Sequence, residues 1–164
     1  MNAVQFQTGT ISPEVFYTSQ INPSNRYVTS ITNLKSSYSQ EETTRFRVFV
    51  RQKDWAPTIY SKATQEIEPT IIESASYQVH RIVDDNIIIP HGTGTTGAIS
   101  RGAKNTLHTL MSYDISGNYF DLDMGLFEDG YSYGLTTAYY NDSIGSWQEQ
   151  PEVFKFRIES RQRE

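Results

Sequence analysis

Residues 118–140 read NYFDLDMGLFEDGYSYGLTTAYY, and this stretch decides the fold. Its first seven residues alternate, with Phe120, Leu122 and Met124 on one face and Asp121 and Asp123 on the other, the period of a half-buried strand. Asp129-Gly130 reads as a turn. Residues 131–140, rich in aromatic and β-branched side chains, are predicted to form the next strand.

The same period recurs on both sides. Tyr27, Thr29 and Ile31 alternate with Val28, Ser30 and Thr32. A turn-like SSYSQEE leads into residues 45–51, where Phe46, Val48 and Val50 share one face and Arg45, Arg47, Phe49 and Arg51 the other. Residues 76–83 form a strand that Asp84-Asp85-Asn86 turns into Ile87-Ile88-Ile89, a hairpin signal. Residues 107–113 resume the sheet, and after Pro151 residues 152–159 place Phe154, Phe156 and Ile158 on one face. About seven short strands with regular turns indicate a β-sandwich. Within the decisive stretch, residues 126–133 (LFEDGYSY) resemble the tyrosine corner of an immunoglobulin-like or fibronectin-like domain, where a tyrosine hydroxyl returns to the backbone just upstream. Tyr133 is the better candidate because Leu135 continues its period. The predicted fold is therefore all-β: an immunoglobulin-like or fibronectin-like antiparallel sandwich of about seven strands with an extended N-terminal arm.

Composition agrees. The chain has 164 residues, 37% of them apolar and 20% charged, with a net charge of −5, enough for one domain plus an arm. These values exclude a collagen and a charge-driven disordered tail. Eleven Tyr and eight Phe, with Ser and Thr making about a fifth of the chain, favour strands over helices. Without Cys there is no disulfide, no thiolate metal site and no cysteine nucleophile. The first 20 residues carry no Lys or Arg and no apolar run of signal-peptide length, and Ile87–Ile89 is far too short to span a bilayer. The chain is expected to fold inside a cell, without a membrane partner. The acidic balance argues against a nucleic-acid surface, although Arg157, Arg161 and Arg163 form a local basic cluster.

Residues 1–25 mix isolated apolar side chains with Pro13, Pro23, Asn and Ser and hold neither period, so they read as an extended arm. Its apolar groups Phe6, Ile11, Val15, Phe16 and Tyr17 are the predicted partner anchors. Residues 26–159 form the sandwich, residues 91–106 a flexible Gly-rich loop within it, and residues 160–164 a charged tail.

Motifs that look like chemistry fail on context. Gly130-Tyr131-Ser132-Tyr133-Gly134 matches G-x-S-x-G, but that elbow needs a strand-to-helix turn and a His downstream, whereas the turn precedes Ser132 and His80, His91 and His108 all come earlier. Gly92-Thr93-Gly94-Thr95-Thr96-Gly97 matches G-x-G-x-x-G, yet Pro90 and His91 intervene after the strand and no βαβ alternation exists. Asp121 and Asp123 resemble the start of a calcium loop without its glycine, and Asp114 is the further carboxylate that neighbouring strands would bring near them. The three His lack metal-ligand spacing. No catalytic residue, cofactor or metal is predicted. Trp55, Tyr60 and Trp147 are candidates for a sugar-stacking or partner-binding platform, although one Trp is expected in the core.

Residues 77–85, residues 110–124 (LMSYDISGNYFDLDM) and the ending EQPEVFKFRIE (residues 149–159) together resemble uncharacterised virion structural proteins of tailed bacteriophages, of the large contractile-tailed type that infects cyanobacteria and other marine hosts. FYTSQINP (residues 16–23), ITNL (residues 31–34) and VFVRQKDW (residues 48–55) fit the same pattern, while the glycine-rich insertion and residues 160–164 depart from it. The resemblance implies a non-enzymatic particle component located in the virion and assembled in the host cytoplasm. Its partners would be other virion proteins and copies of itself, and the neck or tail is favoured over capsid decoration. The alternative is a carbohydrate- or host-surface-binding sandwich module.

Overall fold

A computed structural model describes residues 26–64, 67–91, 109–142 and 146–160. The predicted arm with Phe6, Ile11, Val15, Phe16 and Tyr17, nearly all of the Gly-rich loop, and the tail beyond Ser160 lie outside the described residues. The strands are β1 (Tyr27–Ile31), β2 (Ser37–Ser39), β3 (Thr43–Gln52), β4 (Ala75–Arg81), β5 (Ile87–Ile89), β6 (Ser112–Asp114), β7 (Gly117–Asp123), β8 (Ser132–Asn141), β9 (Ser146–Glu149) and β10 (Phe154–Glu159). One helix, α1 (Ile59–Thr64), sits in the connection from β3 to β4.

The strands form two sheets, ordered β1-β3-β7-β6 and β2-β10-β8-β4-β5, with β9 also paired to β8. This is an immunoglobulin-like sandwich: a four-stranded sheet faces a larger one in which the last strands flank the central β8. The expected faces hold. Phe46, Val48 and Val50 of β3, Phe120 and Leu122 of β7, Leu135 of β8, and Phe156 and Ile158 of β10 are buried between the sheets. Across the gap the rings of Tyr77 and Phe120 stack with centroids 4.0 Å apart. Leu135 follows the corner tyrosine by two residues, the place where antibody domains carry a disulfide cysteine, so buried aliphatic surface replaces the covalent link.

Four features differ from expectation. The turn-like SSYSQEE contains β2, which pairs parallel with β10, and buries Tyr38 against Phe46 and Phe156. The last strand is preceded by β9, so the chain returns along β8 in two pieces. Of the 107–113 segment, the described part joins β4 only through a bridge at Leu110 before β6 pairs with β7 in the other sheet. Neither Trp fills the core; Tyr and Phe do, because the many smaller rings pack the narrow gap between sheets.

A buried polar side chain fixes the long connection. The amide of Asn118, fully buried, accepts from Ile72 N at 3.1 Å and donates to Ile72 O at 2.7 Å, tying the long β3–β4 connection to β7. Beside it Gly117 has φ 119°, and a side chain there would meet Val48 O at 2.9 Å.

Candidate interaction surface

Strand register sorts the loops between the two ends of the sandwich. Tyr27 lies opposite Gln52, Val48 opposite Asn118, and Asp114 opposite Gly117. In the other sheet Ala75 lies opposite Tyr139 and Asn141 opposite Ser146. The rings of Tyr27 and Tyr139 meet edge-on at 5.7 Å, so these termini share one end of the molecule. That end gathers the start of β1, the connection over residues 53–74, the β6–β7 turn and the β8–β9 hairpin.

It is apolar where it should be polar. Ile59 and Tyr60 on α1 are each 85% exposed, and Ile115 in the β6–β7 turn is 93% exposed. Tyr113, Ile67 and Ile71 add half-exposed surface nearby in the chain. The helix is too short to bury a stripe of its own: Pro57 precedes it, and Lys62 N donates to Thr58 O within its first turn. Both tryptophans are here too. Trp55 is partly buried in the connection, and Trp147 packs edge-on against Tyr140 at 5.5 Å.

The opposite end carries polar closures. Tyr133 Oη accepts from Glu128 N and donates to Glu128 O, both at 3.0 Å, which is the predicted tyrosine corner. Its ring packs on Phe127 and Phe156. Arg81 spans Asp84 at 2.6 Å and Glu128 at 2.7 Å, and its hydrogen bonds pull the Asp84 carboxyl down to about 2. Lys35 pairs with Glu42 at 2.9 Å, and Lys35 N donates to Tyr38 Oη.

The other sequence candidates are engaged locally. Ser132 is exposed at the start of β8 and its carbonyl accepts from Ile82 N; a strand, not a helix, follows it. Asp114 binds Arg47 and Asp121 binds Arg45 in a two-point pair, and both guanidinium groups lie over the ring of Tyr119. Asp123 accepts from Gly125 N and caps a single 3-10 turn, so the three carboxylates point to separate partners. His91 is buried with Nδ1 2.8 Å from Ser76 Oγ, and burial pushes its imidazole below the ordinary value. The glycine-rich motif at residues 92–97 lies outside the described residues. No described helix is long and apolar enough to cross a membrane.

Sequence reasoning named Tyr60 and both tryptophans but missed Ile59 and Ile115. No local period marks them, since each stands in a connection and only the strand register brings them to one end. No family model, curated protein or solved structure matches the chain.

Proposed function

We propose that this chain is a non-enzymatic structural component of a tailed-phage virion, an adaptor or clamp that docks through residues 1–25 and its apolar end on a symmetric assembly, at the neck or tail rather than as a capsid decoration. One observation carries the reading: Arg26, where residues 1–25 join the sandwich, lies at the same end as the exposed Ile59, Tyr60 and Ile115. Large apolar groups that stand in water on a rigid body mark an interaction surface. The segment that joins there bears Phe6, Ile11, Val15, Phe16 and Tyr17 and only one charged side chain, Glu14, which is matching chemistry. The partners on this reading are other virion proteins and further copies of the chain, met in the host cytoplasm during assembly; no nucleic acid or membrane is involved.

Quantitative mass spectrometry of purified virions tests it. A copy number near that of the portal is expected, whereas a ratio near the major capsid protein would move the chain to the shell. Absence from particles would sink the reading. Removal of residues 1–20 is expected to abolish incorporation while leaving the sandwich folded. The same end also presents Tyr60, Tyr140 and Trp147, the residue types that stack on sugars, which favours a carbohydrate- or host-surface-binding module as the second reading. Binding of the purified protein to host cells or glycans, with normal particles assembled in its absence, would establish that alternative.

A further inference from the structure

The seam between β1 and the returning β9–β10 chain holds three buried side-chain oxygens that have no hydrogen-bond partner among the described residues. β1 is an edge strand. Thr29 lies opposite Val50, whose carbonyl is taken by Thr70 N at 2.7 Å, so the Thr29 N–H points outward from the sheet. Glu152 Oε1 accepts it at 3.2 Å, and Thr29 Oγ1 lies 2.6 Å from Tyr139 Oη. Glu152 reaches across because the return chain bulges: Ala138 faces Glu149 and Leu135 faces Phe154, so residues 150–153 run beside residues 136–137 alone. Gln150 N still donates to Thr137 O at 2.8 Å, which sets the two side chains opposite each other on the inner face of the sheet.

Thr137 Oγ1, Gln150 Oε1 and Glu152 Oε2 are all buried there without a hydrogen-bond partner. Thr137 is fully buried and Gln150 is 5% exposed. The Thr137 hydroxyl lies near that of Tyr139 and opposes the burial that raises the tyrosine's pKa. Amide and carboxylate oxygens only accept, so beyond the bond from Thr29 N the seam keeps open lone pairs on Gln150 Oε1 and Glu152 Oε2 and the carboxylate charge.

We propose that the seam binds one monovalent alkali cation, Na+ or K+, held by Glu152 Oε2, Gln150 Oε1 and Thr137 Oγ1, with the Tyr139 and Thr29 hydroxyls beside it. An all-oxygen donor set selects a hard cation, and a single carboxylate balances a single positive charge. Among the described residues no group of three or more His, Cys, Asp or Glu gathers, so the donors do not suit zinc or another transition metal. The ion fastens the edge of β1 to the bulge, three residues after Arg26. This inference is independent of the virion reading.

Thermal unfolding of the full chain in NaCl, KCl and N-methyl-D-glucamine chloride at equal ionic strength tests it. The midpoint is expected to be about 3–5 °C higher in one alkali salt than in the organic cation, an increment of the size that ligand binding gives a domain this large. Glu152→Gln is expected to erase the difference, and Thr137→Val, close in shape but without the oxygen, to reduce it. Equal midpoints for the unaltered protein in all three salts would overturn the proposal, even if the Glu152 variant fails to fold. In crystals grown with Rb+, an anomalous peak between Glu152 and Gln150 is expected; an ordinary water there overturns the ion.

Discussion

The two ends of the sandwich are built from the same strands yet finished differently. At one end the chain turns tightly, and each closure is polar: Tyr133 ties residues 128–133 together, Tyr38 receives Lys35 N, and Arg81 bridges Asp84 and Glu128. At the other end a long connection passes from one sheet to the other, tied by the buried amide of Asn118, and Ile59 and Tyr60 within it stand in water together with Ile115 of the β6–β7 turn. The ion pairs are not what separates the ends in stability, since their exposed carboxylates are screened and such pairs contribute little. The difference lies in how each connection is tied down and in how far its apolar groups stand in water, 85–93% for Ile59, Tyr60 and Ile115 against 74% for Val83 and 60% for Leu126. One end is completed by its own chain, whereas the other offers a surface.

The sharpest way to break this comparison is to remove the Asn118 anchor. Asn118→Ala leaves both the N–H and the carbonyl of Ile72 buried and unpaired, at a cost of about 3 kcal/mol, because each orphaned group loses its full solvation. Chemical denaturation is expected to show that loss with an unchanged m-value. Tyr133→Phe is expected to cost less, about 1–2 kcal/mol, since Glu128 is exposed and water replaces part of what the hydroxyl gave. If Tyr133→Phe proved the more damaging, the polar end and not the apolar one would hold the fold together.

Much of this was legible from side-chain period. The alternation at Phe46, Val48 and Val50, at Phe120, Leu122 and Met124, and at Phe156 and Ile158 named the core correctly because one face of each strand is buried and the other wetter, while Phe154 packs against that core only half-buried. Tyr133 was legible through Leu135. Central β8 carries no such contrast: Gly134, Thr136 and Ala138 on its outer face are as buried as Leu135. β2 escaped notice because three residues hold too little pattern, and Tyr38 reads as a loop residue until its ring is placed among Phe46 and Phe156. The apolar end was hidden for a different reason. Ile59 and Ile115 meet through strand register, which a linear pattern does not encode. The seam was equally hidden, since Thr29, Thr137, Gln150 and Glu152 read as ordinary polar strand residues.

Acid distinguishes the covered outer face of β8 from the polar end. His91 is buried over Ser76 with Nε2 unpaired; burial lowers its pKa and Glu149 opposes that. A base with a depressed folded value takes up its proton first in the unfolded chain. Stability is therefore full above about 6.5 and falls as the pH drops toward the folded value, by at most about 1.4 kcal/mol per pH unit. His91→Asn is expected to flatten that slope in pH-dependent denaturation. Asp84 acts in a lower window: its pairing with Arg81 is intact above about 3.9 and is lost as the pH falls toward about 2. A slope below pH 6.5 that survives His91→Asn would assign the acid sensitivity to another group.

The smallest expected effect on stability is also the most informative about the surface. Ile59 and Tyr60 are already in water, so Ile59→Glu with Tyr60→Ser is expected to change unfolding free energy by no more than about 0.5 kcal/mol. The matched control is Val83→Glu with Leu126→Ser at the opposite end, where those groups are 74% and 60% exposed. Equal stability of the two doubles, measured side by side, would show that neither set serves the core. Assembly then separates them: sedimentation or particle incorporation is expected to fail for the first pair alone, because only that end combines uncovered apolar side chains with the root of residues 1–25. Loss in both doubles would mean that exposed apolar area contributes wherever it lies, and the distinction between a self-completed end and an offered one would fall.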